Sequence, residues 1–480
     1  MRDLYLDTLG KSLNGSVYTK EVISEVNITG ENIYKSFISD MDSLASAGTI
    51  KAWKPLPYDW RLSLSDIVDN GALQKDGTIQ NMIAEIEKLA VSSQTGKVSI
   101  VTHSKGGLVA KYLVKSLEAQ GKAGIIDKLI MVAAPQLGTP KSIPDMLHGT
   151  QFGKGFVMSQ KTSRGLSLNM PGAYQLLPTR EYFNKVATPV IQLDQSLVGY
   201  NNFINSFGNQ IADYPTLKRF LLDTTDNRTS DPDSTVDDIL TLSPNLMRNA
   251  DTLHSSIDSY VFPGNIGVSS IVGWGLDTIA GVTYYAKDIY TCLINICSIK
   301  QKLAFKPVKV LEGDETVVSK SAVASMPYYI NLSAHNKATN SQVNHSNILF
   351  ATTTRGIVIN LIKDISVNSP YVSNVEPVPD ANDTRTRISV HSPVAIHVYD
   401  SAGRHTGLIA NKNPTSDLRL YEAKIPNSYY EEYGDDKYVG FSNTLPVTVK
   451  IQGTGTGTFT LNVEEVKAGV VIKKTSYAEI

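Results

Sequence analysis

A chain of 480 residues, 41% apolar and 19% charged with a formal net charge of -1, has an ordinary globular composition and is too long for one small core, so at least two domains are expected. The near-neutral balance, with no basic block, lacks the clustered positive charge that a nucleic-acid partner or an anionic membrane surface calls for. No run of about 18 uninterrupted apolar residues is present, so no membrane-spanning helix is predicted, and Cys292 and Cys297 are too few for a disulfide scaffold or a zinc site, leaving one local disulfide or two free thiols.

The first residues, MRDLYLDTLGKSLNG, lack the basic start and apolar block of a secretory signal. Ile33, Phe37, Met41 and Leu44 fall at helical spacing, and IKAWKPLPYDWR (50–61) follows as a short strand ending near Pro57. Ile79, Met82, Ile83, Ile86 and Leu89 mark a second helix, closed near Gly96, after which KVSIVTHSKGG (97–107) is a strand that runs into glycines. A third helix over 108–119 and the buried strand LIMVAAP (129–135) complete an alternation of strands and helices, which predicts a parallel sheet covered on both faces.

From 136 to 265 the alternation stops, and a mostly helical insertion rich in Asn, Asp, Ser and Pro is expected. The core resumes at SSIVGWG (269–275), continues through VKVLEGDETV (308–317) and YYINLSAH (328–335), and closes with a helix over roughly 346–363. Residues 1–365 therefore read as one α/β domain, and 366–387, with Pro370, Pro377 and Pro379, as a linker. Residues 388–480 alternate apolar and polar at period two in VAIHVYD, LPVTVKI and GTFTLNV, the pattern of a small antiparallel, sandwich-like β domain. Its His391, His397 and His405 fall at solvated strand or turn positions without metal-ligand spacing.

The segment Thr102-His103-Ser104-Lys105-Gly106-Gly107 lies where a buried strand meets a helix. A serine hydroxyl is a weak nucleophile, and a fold that uses one holds it on a tight turn with small neighbours, close to a base. Ser104 fits that position, with Gly106 and Gly107 supplying space; Thr102 departs from the simple G-x-S-x-G pattern. The backbone N–H of Lys105 would face a developing oxyanion at the helix start, a role needing no lysine side chain. In such a hydrolase the acid and then the histidine follow the serine, which leaves His335 and His345, and His345 in VNHSNILF stands in a loop at a helix start. Asp314, after an apolar strand and a glycine, and Asp277, after SSIVGWG, are the two acid candidates.

Four stretches, PLPYDWRLS (55–63), THSKGG (102–107), PGAYQLLPTREYF (171–183) and GDETVVSKSA (313–322), resemble in order the lecithin:cholesterol acyltransferase-like branch of the α/β-hydrolases. The resemblance spans most of 5–363 and implies an α/β-hydrolase with a helical cap at 136–265 and a triad of Ser104, Asp314 and His345. Asp59 and Arg61 read as a buried scaffold pair, with Trp60 beside an acyl pocket. Family members usually begin with an apolar strand and a Pro-Gly or His-Gly turn that supplies a second oxyanion donor. This sequence opens with LYLDTLGKSLN, similar to the region just after that strand, so an N-terminally incomplete copy is expected.

These readings predict a serine acyl-ester hydrolase for lipid esters, with acyl transfer as a variant outcome and neither metal nor organic cofactor. A transient lipid-interface contact is the expected partner interaction, and the accessory β domain resembles those of extracellular or cell-surface hydrolases. The rival expectations are a non-catalytic surface protein on a hydrolase scaffold and an esterase for short soluble or polymer esters. Oligomeric state is not legible.

Overall fold

The computed structural model describes residues 2–26, 30–150, 156–226, 228–235, 238–293, 296–391, 393–411, 418–478 and 480. Helix α1 (Lys35–Ser46) buries Met41 and Leu44 of the apolar stripe. Residues 50–61 then run extended but enter no sheet, contrary to the strand expected there. Pro55 and Pro57 each remove a backbone donor, which disfavours ladder pairing. Helix α2 (Met82–Ser92) starts at Asn81, whose side chain accepts from the Ala84 N–H and satisfies an otherwise orphan donor. Strand β1 (Val98–His103), helix α3 (Gly106–Ala119) and strand β2 (Ile126–Val132) follow as expected.

The insertion carries short helices and short strands, among them β3 (Ile191–Leu193) and β4 (Gln210–Ile211), and ends in helix α4 (Pro244–Ile257). Strand β5 (Gly267–Trp274) returns to the core. Strands β6 (Thr278–Leu293) and β7 (Ile296–Val310) form a long antiparallel hairpin, in which the backbones of Cys292 and Cys297 stand opposite one another; their side chains lie outside the described set. Strand β8 (Pro327–Asn331), helix α5 (Leu332–Thr339), helix α6 (Thr352–Ile362) and strand β9 (Val372–Ser373) complete this part.

The core sheet has the order β9-β8-β5-β2-β1, with the last four parallel and β9 antiparallel at one edge. Side chains of β2 alternate between two apolar clusters: Leu129 and Met131 pack with α3, whereas Ile130 and Val132 pack with Ile271, Ile330, Leu349 and Ile357. Burial on both faces is the condition under which parallel strands are stable. Strand β1 is the other edge strand. The hairpin is excluded from this sheet and joins the insertion in a second one, β7-β6-β3-β4. VKV of VKVLEGDETV therefore ends β7 in the second sheet, not a core strand as expected from sequence.

Strands β10 (Thr384–His391), β11 (Val394–Asp400), β12 (His405–Ile409), β13 (Arg419–Ala423), β14 (Tyr429–Tyr433), β15 (Asp436–Ser442), β16 (Val447–Gly453), β17 (Thr460–Lys467) and β18 (Val470–Tyr477) form two antiparallel sheets. Their orders are β14-β15-β10-β17-β18 and β16-β11-β12-β13, the latter extended by the insertion residues Phe156–Val157. Ile388, Ile396, Val398 and Val439 join both sheets in one apolar cluster. The first strand starts at Thr384, inside the span read as linker.

Candidate active site

Ser104 sits between β1 and α3 with φ +53°, in the left-handed region that a residue with a Cβ adopts at a cost. Its N–H donates to Val132 O at 3.0 Å, tying the turn to β2. Of the two glycines that follow, only Gly107 is sterically required: a Cβ there would lie 2.3 Å from the Ala134 Cβ, whereas one at Gly106 would meet nothing closer than 3.5 Å. The Lys105 N–H, at the start of α3, has no acceptor among the described residues.

His345 stands at the start of a short 3-10 turn whose cap, Asn344, accepts from the Ser346 N–H. Its Nε2 lies 2.9 Å from Ser104 Oγ and its Nδ1 2.8 Å from Asp314 Oδ2. A carboxylate only accepts, so Nδ1 carries the proton and Nε2 is free to accept from the serine hydroxyl. Asp314 is 1% exposed, and its other oxygen accepts from the N–H groups of Val317 at 2.7 Å and Thr316 at 3.1 Å. The two loops are also joined by the backbone, through His345 N–H to Asp314 O at 2.9 Å. Gly313 lets the acid loop turn this tightly, since a Cβ would fall 2.5 Å from Val317 O.

His103, next to the serine, is partly buried and bonds groups other than Ser104 and Asp314. Its Nε2 lies 2.8 Å from His345 O and its Nδ1 2.6 Å from Tyr34 Oη. A carbonyl only accepts, so Nε2 donates and Nδ1 accepts from the tyrosine. Burial, reinforced by His345, lowers the His103 pKa to about 3 and keeps the ring neutral.

The two rival candidates lie elsewhere. Asp277 is buried against Arg385 and Arg387 of β10, with Arg385 Nη1 at 3.1 Å, and Arg387 also donates to it. His335 is 2% exposed in α5, edge-on to Tyr371. A search of families matches residues 14–355 to the model described as lecithin:cholesterol acyltransferase.

The chain belongs to the lecithin:cholesterol acyltransferase family. No curated protein matches it. Among solved structures, the Tle4-Tli4 complex is similar at 13% identity over 65% of this chain and 68% of that one, with a TM-score of 0.37. The Bacillus licheniformis lipase BlEst2 in propeptide form matches at 8% identity, 87% and 90% coverage and a TM-score of 0.27. Phospholipase PlaB from Legionella pneumophila matches at 12% identity, 90% and 83% coverage and a TM-score of 0.23.

Three of the four family-like stretches meet at one atom, a junction the sequence reading missed. The Lys105 side chain is buried, and its Nζ donates to Trp60 O at 2.8 Å and Leu62 O at 3.0 Å. A Cβ on Gly172 would lie 2.3 Å from that Nζ, so PGAY packs directly on YDWR and the serine turn. Arg61 is buried as expected, with Nε 2.9 Å from Asp59 Oδ1 and Nη1 2.7 Å from Leu4 O. The only sequence signal for Lys105 is a charged residue opening an apolar helix, which reads equally well as a solvated first turn.

Trp60 is 43% exposed and lines a cavity of about 1470 Å³ along the outer edge of β1, together with Tyr34, Phe37, Ile100 and Leu349. Ser104 is not among the lining residues, although His103 and Gly106 are. Among the described residues no helix is long and apolar enough to cross a membrane.

Proposed function

We propose that the protein is a serine-dependent acyl-ester hydrolase acting on lipid esters. The hydrogen-bonded chain Ser104 Oγ, His345, Asp314 carries this reading. His345 Nε2 takes the hydroxyl proton as Oγ attacks the ester carbonyl, and Asp314 stabilises the resulting imidazolium. The Lys105 N–H, at the start of α3, donates to the developing oxyanion. Collapse expels the alcohol, which receives the proton from Nε2, and leaves an acyl-enzyme. Water resolves it by the same proton path, and an alcohol acceptor would make the product a new ester. Family membership supports lipid substrates; in this reading residues 136–265 act as cap and 388–480 as an accessory, sandwich-like domain. An extracellular or cell-surface setting belongs to the same reading.

A fluorophosphonate probe should label Ser104 in the wild type and not in Ser104→Ala, and that variant should lose turnover by about a thousandfold or more. Comparing p-nitrophenyl esters of rising chain length, then phospholipid vesicles, should show preference for longer acyl groups. Folded wild type that the probe leaves unlabelled removes the enzyme reading; preference for acetate over longer esters removes the lipid assignment alone.

A further inference from the structure

The β domain reaches both loops that carry the candidate base and acid. The turn between β13 and β14 places Asn427 at φ +59°, 6% exposed, against the segment that leads into His345. Its N–H donates to Gln342 Oε1 at 2.6 Å, and Gln342 Nε2 returns a bond to Ser428 O at 2.7 Å. The Asn427 side chain accepts from Asn336 Nδ2 at 3.1 Å and donates to Ser333 O at 3.0 Å. Asn336 in turn brackets the backbone of Val343, accepting its N–H at 2.9 Å and donating to its carbonyl at 2.8 Å. Val343 is two residues from His345.

A second arm reaches the acid loop. Arg385 Nη2 of β10 donates to Gly275 O at 2.7 Å while Arg385 and Arg387 hold Asp277. The loop so clamped donates from Gly275 N to Leu311 O at 2.9 Å and from Leu276 N to Gly313 O at 3.1 Å. Thr278 Oγ1 accepts from the Glu315 N–H at 2.9 Å, one residue beyond Asp314. Gln342 Nε2 also reaches Glu315 Oε1 at 3.3 Å, so the two arms close on each other. Directional polar bonds of this kind set loop position more tightly than apolar contact does, and a misplacement of about 1 Å in a catalytic group costs about a hundredfold.

We propose that the C-terminal β domain is part of the catalytic apparatus, with Gln342 and Asn427 as positioning residues that hold His345 against Ser104 and Asp314. The proposal rests on the triad reading above. Neither residue touches the reacting atoms; each acts through the backbone on either side of Val343.

Two variants separate positioning from mere stability. Gln342→Ala removes both bonds to the turn, and Asn427→Gly removes the side chain while suiting the left-handed backbone. Both should lower kcat for a p-nitrophenyl ester by about ten- to a hundredfold with KM within about twofold. Gln342→Asn keeps both amide groups on a shorter arm and should recover part of the loss, providing a milder change if the alanine variant does not fold. Lys473→Ala, which removes only an exposed pair with Glu465 on the last hairpin, should leave kcat unchanged. The second readout is the downfield NMR signal of the His345 proton shared with Asp314, which should weaken in Gln342→Ala and Asn427→Gly. Folded variants with wild-type kcat and an intact signal overturn the positioning role. Wild-type protein that shows the signal and loses it in the variants, yet turns over no ester, overturns the enzyme reading and leaves the positioning intact; absence of the signal in wild type overturns both.

Discussion

Lys105 follows the nucleophile candidate, and the mechanism proposed above uses its N–H while its side chain does something separate. Its N–H faces the site, and its side chain pins Trp60 and Leu62. Burial lowers its pKa to about 7, with Asp59 pulling the other way. Above that value the folded protein sheds a proton that the unfolded chain keeps until its ordinary range near 10.5. The unfolded state thus binds more protons between the two values, and folding stability rises with pH across that window. Lys105→Met should flatten the slope in urea titrations from pH 7 to pH 10, and an unchanged slope would reassign it. At this scale chain order and loop position nominated Ser104 and His345 and left Asp314 and Asp277 open until the family resemblance favoured Asp314; the structure sets Ser104, His345 and Asp314 within hydrogen-bond reach. The Lys105 side chain and the Tyr34–His103 pair were not, since nothing in local sequence says that a lysine or a histidine will be buried.

The serine turn depends on one close approach. Gly107 stands where α3 meets Ala134 after β2, so Gly107→Ala should force the helix away, costing about 1–3 kcal/mol and lowering kcat. Gly106→Ala makes only an ordinary contact with Thr102 and should cost less in both; equal losses measured by urea unfolding and ester turnover would contradict the assignment. Strands β1, β2 and β5 and helices α2 and α3 were readable from periodicity. Residues 50–61 were misread because extended backbone and strand share one pattern, and partners decide between them. Apolar residues in β6 and β7 suit a hairpin as well as a buried strand, which is why the second sheet was not foreseen.

Asp277 joins the two halves of the molecule. Burial pushes its carboxyl up, but Arg387 and Arg385 outweigh burial and hold it at about 2. The stability this gives is complete above the ordinary value of 3.8 and is lost as pH falls through about 2. Asp277→Asn leaves buried Arg385 with Asp383 alone and takes from the half-buried Arg387 the carboxylate it bonds, and should cost about 3 kcal/mol in chemical unfolding. A loss of under about 1 kcal/mol would mean that the pair is exchangeable with water. Period-two alternation beyond residue 388 was legible as strands, whereas the bond between Arg385 and Asp277 was not, because the two lie 108 residues apart. The same separation has a consequence during synthesis. A ribosome that has released the first three hundred and forty residues has made the serine and the aspartate but not the base, and the turn that braces the base comes later still. On the proposed reading, the growing chain stays without its base until residue 345 is added and without its brace until residue 427 is.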